Sequence, residues 1–195
     1  MEKFITLLST AVPLPVDNID TDQIIPARFL KAVDRSGFGE NLFRDWRFDG
    51  SGAPKKDFIL NNPSWLGKIL VAGENFGSGS SREHAAWALF DYGFRVIIAR
   101  SFADIFRNNA LNNGLLVVEV PAPFLAELHD CILKDPQTLI QVDLGNQTVT
   151  NRKTSNTVSF EINPFKKNCL EKGFNDIDYL LSIRDKIEKF ERMKD

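Results

Sequence analysis

Three short apolar runs, separated by two stretches of helical pattern, constrain this chain more than any other feature. The runs are Lys68–Ala72, Phe94–Ala99 and Leu115–Val120. Each is too short for a helix and bounded by turn residues, as a buried strand is. Between the first two, Ala85, Ala86, Ala88, Leu89 and Tyr92 fall on one helical face, and Gly93 follows as a stop. Between the second and third, Ser101 heads a stretch with Asp104 three residues on, ending at Asn112-Asn113-Gly114. A βαβαβ order implies parallel pairing with right-handed crossovers.

The flanks extend this core. A first strand is expected over Phe4–Val12, and a helix from Pro121-Ala-Pro123 to about Lys134. Thr138–Leu144 and Gln147–Asn151 read as a hairpin turning at Gly145-Asn146, and Thr157–Ile162 as a further strand. Residues 175–193 form a charged amphipathic helix in this reading, headed by Asn175 with Asp178 three residues later. The expected fold class is α/β, one domain over 1–195, with a partly parallel central sheet, flanking helices and a C-terminal helix. At 43% hydrophobic residues the chain can fill such a core. Residues 31–62 are rich in Gly, Asp, Arg and aromatics and lack periodicity, which marks a functional or mobile loop.

A net charge of −2 with no Lys/Arg block points away from nucleic acid. No apolar run approaches the roughly 18–20 residues of a membrane span. Phe4–Val12 imitates a signal peptide, but Glu2 precedes it and Pro13 and Pro15 follow it, so a strand and a cytoplasmic location are expected. Cys131 and Cys169 lie far apart, and His84 and His129 are the only histidines, so the chain cannot supply a cysteine-rich metal site by itself.

The chemistry concentrates in Gly73–His84, between an expected strand and helix. Gly77 and Gly79 permit a tight turn, and a helix N-terminus beyond them offers free N–H groups and a positive dipole end. Ser80 follows Gly79 where a P-loop needs lysine, and Arg82 stands where a dinucleotide fingerprint needs its third glycine. A nucleophile elbow is absent. Arg82 instead suits a carboxylate, which its fork grips bidentately. Ser80 is the candidate reactive group if its alkoxide is stabilised; simple helix capping by Ser80 and Ser81 is the other reading. Glu83 and His84 read as a first-turn charge and a packed side chain, with a Ser80–His84 dyad possible on spacing. Asp17, Asn18, Asp20, Asp22 and Gln23 precede Ile24-Ile25-Pro26 and fit a turn and helix cap better than an EF-hand, whose glycine and distal glutamate are missing. Ser101–Asn109 reads as a capped helix whose polar end, Arg107-Asn108-Asn109, could face a site.

Together, Asn18–Pro26, Gly73–His84 and Ser101–Asn109 resemble the aconitase-type swivelling domain in order and spacing. With Pro26–Lys31 and Phe43–Phe48, the chain looks like the bacterial small subunits of isopropylmalate dehydratases. The resemblance implies a β/β/α swivelling domain that closes over a large subunit holding a [4Fe–4S] cluster, with no cofactor bound by this chain. It implies that Ser80 removes a carbon-bound proton and that Ser81, Arg82 and Arg28 bind a small dicarboxylate. Gly77, Gly79 and Asn75 would support the loop and its oxyanion, and Asp20, Asp22, His84 and Asp104 the surrounding structure. The implied reaction dehydrates 2-isopropylmalate to 2-isopropylmaleate and rehydrates it to 3-isopropylmalate, in leucine biosynthesis. Residues 31–62 would be a specificity and docking loop ordered by the partner. Two other readings stay open: a sister hydro-lyase acting on homoaconitate, citraconate or a methylated malate, and a non-catalytic anion-binding module.

Overall fold

The structure, a computed structural model, describes residues 1–30 and 37–193. One seven-stranded sheet runs in the order β4-β3-β2-β1-β5-β6-β7. Its strands are β1 (Thr6–Leu14), β2 (Ile69–Ala72), β3 (Val96–Ala99), β4 (Leu116–Glu119), β5 (Leu139–Asp143), β6 (Thr148–Asn151) and β7 (Thr157–Ser159). Strands β1 to β4 pair in parallel, and β5 to β7 continue the sheet antiparallel. The expected partly parallel α/β sheet is the one observed.

β1 joins the two regimes. Its second half pairs in parallel with β2, Ala11 opposite Ile69 and Leu14 opposite Ala72, and is wholly buried. Its first half, Thr6–Thr10, pairs antiparallel with β5 and is partly exposed. Every residue of β2 and β3 is buried, because helices cover both faces of a parallel sheet. β5 and β6 alternate buried with less buried positions, as strands with one open face do.

The helices are α1 (Thr21–Ile24), α2 (Arg44–Arg47), α3 (Glu83–Tyr92), α4 (Asp104–Asn112), α5 (Ala122–Lys134), α6 (Pro164–Lys172), α7 (Asp176–Ser182) and α8 (Arg184–Arg192). α3, α4 and α5 stand where the periodicity puts them. Ser101, however, does not cap α4: Ala103 is the N-cap, and the Ser101 hydroxyl accepts the Asn75 amide at 2.9 Å. The tail is two helices, because Ile183 (φ −114°, ψ 13°) interrupts the helical backbone between α7 and α8. The capping box of Asn175 and Asp178 forms as expected. β7 stops at Ser159, three residues short of the expected end, after which the chain leaves to enter α6. α6 itself was not anticipated, although Asn163 caps it, Pro164 opens it and Gly173 closes it.

Of the irregular segment, 31–36 lie outside the described residues, and 37–62 are anchored. Phe38, Leu42, Phe43 and Leu60 are buried in the core. Arg47, half-buried, donates to the carbonyls of Gly39, Glu40 and Leu42 and to Asn61 Oδ1, at 3.2–3.4 Å. Its guanidinium sits 5.0 Å from the ring centres of both Phe48 and Tyr92. Carbonyls and ring faces take the role a carboxylate partner would otherwise have.

Glu127 on α5 fastens the β6–β7 end: its carboxylate accepts from Thr154 (2.6 Å), Asn156 (2.6 Å) and Asn151 (2.9 Å). The Thr154 hydroxyl, with Asn156 and Asn151 adding to it, holds this carboxyl below the ordinary glutamate range. A lowered folded value means the contribution is present at neutral pH and fades as pH falls below about 4.5, the unperturbed value. Glu127→Gln is therefore expected to lower the thermal midpoint at pH 7 and to flatten its decline between about pH 5 and 3. Thermal melts across that range check this; identical pH slopes in both proteins would remove Glu127 from the acid response.

Candidate active site

The three segments singled out in the sequence meet at the carboxyl ends of β1, β2 and β3, the edge where open parallel sheets present their ligand-binding loops. The loop after β2 lies in the middle and is laced to both neighbours. Towards the β1 loop, Gly77 and Ser78 both donate to the carbonyl of Ile19, at 2.7 and 3.1 Å, and Thr21 returns a bond to Ser78 at 2.9 Å. Towards the β3 loop, Phe76 donates to Ser101 and Ala103 to Phe76, at 3.1 and 3.0 Å. Asn75 touches both sides, its side chain donating to Asn18 Oδ1 and its amide to Ser101 Oγ, each at 2.9 Å. Asn75 and Asn18 both adopt left-handed backbone, with φ of 52° and 56°.

Gly77 and Gly79 turn the loop through φ of 78° and 90°. At Gly77 a Cβ would lie 2.2 Å from the Phe106 ring, so the backbone rests directly on that ring. Phe106 in turn meets Phe76 edge-on and stacks with Phe102, at centroid distances of 5.2 and 6.3 Å. This aromatic floor holds the loop up at the surface.

Ser80 is exposed at the end of the loop. Its carbonyl is held from two directions, by the Arg82 amide (2.8 Å) and the Thr21 hydroxyl (3.1 Å). Among the described residues neither the Ser80 nor the Ser81 hydroxyl has a hydrogen-bond partner, and the amides of Gly79, Ser80 and Ser81 donate to nothing. The capping alternative fails in this structure: Arg82 occupies the N-cap of α3 and no side chain caps it. The result is a fixed backbone carrying free hydroxyls and three successive free amides beside a helix N-terminus.

Arg82 Nη1 lies 2.5 Å from Asp22 Oδ1, with Arg82 mostly buried and Asp22 exposed. The contact is ionic without hydrogen-bond alignment, and the buried Nη1 has no acceptor. Asp22 Oδ1 also takes the Ala27 amide at 3.2 Å. Asp20 caps α1 in a full capping box with Gln23. Asp104 is a first-turn acid of α4. His84 packs between Phe38 (5.4 Å) and Trp87 (4.6 Å), and among the described residues no hydrogen bond joins it to Ser80, so the dyad does not form. Arg107 pairs with Glu119 of β4. Arg28 is not brought to the loop by any contact: it lies in the neighbouring cleft, paired with Asp45. Thr21, which fixes the Ser80 carbonyl, was not picked out from sequence; only its place inside the Asp20–Gln23 capping box hinted at it.

Residues 1–123 match the aconitase C-terminal domain family. A 3-isopropylmalate dehydratase small subunit of Cytophaga hutchinsonii is 57% identical over 192 residues, covering 98% of this chain and 96% of that one. One of Azobacteroides pseudotrichonymphae is 56% identical over 193 residues, covering 98% of both. A crystal structure of 3-isopropylmalate dehydratase from Methanocaldococcus jannaschii superposes with a TM-score of 0.68 at 27% identity, covering 96% of this chain and 99% of that one.

The two loop glycines should differ in tolerance. Gly77→Ala meets both a left-handed backbone and the Phe106 ring, and is expected to cost about 2–4 kcal/mol. At Gly79 the nearest atom to a new Cβ is 3.4 Å away, so Gly79→Ala carries the backbone strain alone, about 1 kcal/mol. Denaturant unfolding of the two variants checks the order; equal losses would mean the aromatic floor does not support the loop.

Proposed function

This chain belongs to the family of 3-isopropylmalate dehydratase small subunits, and from that premise we propose that it contributes Ser80 as base and Arg82 as carboxylate clamp to a site completed by a large subunit. It is one part of a hydro-lyase of the aconitase superfamily. The observation that supports the residue roles is the loop around Ser80, whose backbone is held while its hydroxyl and the amides of Gly79, Ser80 and Ser81 have no partner among the described residues.

A serine hydroxyl is a weak base, and its alkoxide needs positive surroundings. Three act in concert here: free amides, the N-terminus of α3 and the Arg82 guanidinium. Ser80 then takes a proton from the CH2 carbon adjacent to the hydroxyl-bearing one as the carbon–oxygen bond breaks; proton and hydroxide leave together as water, giving 2-isopropylmaleate, and water adds back with hydrogen and hydroxyl on exchanged carbons to give 3-isopropylmalate. Arg82 fixes a substrate carboxylate, and Ser81 hydrogen-bonds the substrate and steadies the loop. Asp22 keeps Arg82 in place before substrate arrives. Gly77, Gly79 and Asn75 shape the loop, and residues 31–62 contribute docking and side-group selectivity.

Among the described residues no three His, Cys, Asp or Glu side chains group as a metal site, and Cys131 and Cys169 are both buried. A [4Fe–4S] cluster held by the large subunit would supply Lewis-acid polarisation of the substrate oxygens. No helix among the described residues is long and apolar enough to cross a membrane. The place of action would be the cytoplasm, in leucine biosynthesis.

The test mixes this chain anaerobically with a cluster-reconstituted large subunit and 2-isopropylmalate, and follows absorbance of the unsaturated intermediate. Turnover should need both chains, and Ser80→Ala should lower kcat by about 10²–10⁴-fold while the subunits still co-elute. Full activity of Ser80→Ala would take Ser80 out of the mechanism. Activity of this chain alone would end the shared-site reading. Binding without turnover would move the assignment to a sister substrate, and absence of both to an anion-binding module.

A further inference from the structure

Arg28 and Asp45 form a two-pronged pair across a cleft of about 640 Å³ lined by residues of 28–29 and 44–55. Asp22 binds the Ala27 amide just before Arg28 and touches Arg82, so one acidic side chain ties the backbone before Arg28 to Arg82. The Arg28 guanidinium rests over the Phe29 ring at 4.7 Å, and its fork holds the Asp45 carboxylate, with one bond of 3.0 Å. That is the geometry in which arginine takes up a ligand carboxylate.

The cleft is also cationic in balance. Arg28, Arg44 and Lys55 line it against Asp45 and Asp49. Asp49 is consumed by its own turn, accepting from the Ser51 amide and hydroxyl and from the Ala53 amide at 2.6–3.0 Å. Lys55 Nζ donates to the Asp45 carbonyl at 3.0 Å and helps fix that residue. Asp45 is thus the one acid of the cleft that is spent on an arginine. The pair is 54% and 60% exposed, so water screens it and it contributes little to folding. A weak, solvent-facing pair of this shape exchanges one carboxylate for another at small cost.

Resting on the reading of this chain as a subunit that binds a dicarboxylate, we propose that Asp45 is an internal stand-in for a substrate carboxylate: it occupies Arg28 in the empty site and yields it when substrate enters. The exchange leaves the number of ion pairs on Arg28 unchanged and frees Asp45 to water. Asp45 accordingly weakens substrate binding while keeping the Arg28 fork ordered and open to carboxylates only. It is a positioning residue that acts through Arg28.

Steady-state kinetics of the two-subunit enzyme test this with 2-isopropylmalate as substrate and malonate as competing dicarboxylate. Asp45→Asn should lower KM and the malonate inhibition constant by up to about fivefold, with kcat within about twofold. Asp45→Glu should restore the wild-type KM. Arg28→Gln, an exposed change that leaves the core untouched, should raise KM, and adding Asp45→Asn to it should then do nothing further. An unchanged KM in Arg28→Gln overturns the proposal even if Asp45→Asn folds poorly, and so does an Asp45→Asn effect that persists without Arg28. Loss of turnover in Ser80→Ala alongside an unaffected Arg28→Gln would leave the shared-site reading intact and reject only this inference.

Discussion

The carbonyl of Ile19 accepts two amide hydrogens at once, from Gly77 and Ser78. Those bonds stitch the loop after β2 to the loop after β1, and the placement of Ser80 hangs on them. Both amides belong to a turn that reverses through left-handed backbone, so no regular strand could place them there. Once the turn is fixed, Thr21 reaches the Ser80 carbonyl and the Ser80 hydroxyl is left facing outward with no partner among the described residues. The same lacing on the other side, through Phe76, Ser101 and Ala103, prevents the loop from tilting. Every bond in this network is between backbone or short polar side chains, so small displacements are resisted from both flanks.

Charge is handled in two ways. Arg47, half-buried beneath the irregular segment, is satisfied by carbonyls, an asparagine and aromatic rings, which hold 37–62 as a folded unit against α3. Arg82, mostly buried, and Arg28, exposed, are matched instead by exposed carboxylates of the chain itself, Asp22 and Asp45. Carbonyl contacts make a cation structural, since no ligand competes for that position. Carboxylate contacts near solvent leave a cation available, since another carboxylate can replace the first.

What the loop edge presents chemically follows from the fold. A loop over an aromatic floor, rimmed by free amides and an arginine, handles protons and carboxylates well. It offers no cysteine cluster: Cys131 on α5 and Cys169 on α6 pack in the interior, away from the loop edge.

Local pattern was enough for much of this. The apolar runs at 68–72, 94–99 and 115–120 and the helical faces between them dictate a parallel core, because burial on both faces demands continuous apolar strands. Gly77 and Gly79 announced the tight turn that opens α3, because backbone freedom is a property of glycine itself. Tertiary structure decided the rest. It gave the Ser101 hydroxyl to Asn75 instead of a helix cap, put His84 under Phe38 and Trp87 instead of beside Ser80, split the tail at Ile183, and formed the missed α6. It also chose the hydrogen-bond and ion-pair partners of Arg28, Arg47 and Arg82, all outside the same helical turn. A side chain's partner across space depends on how distant segments pack, and that information is spread over the whole chain.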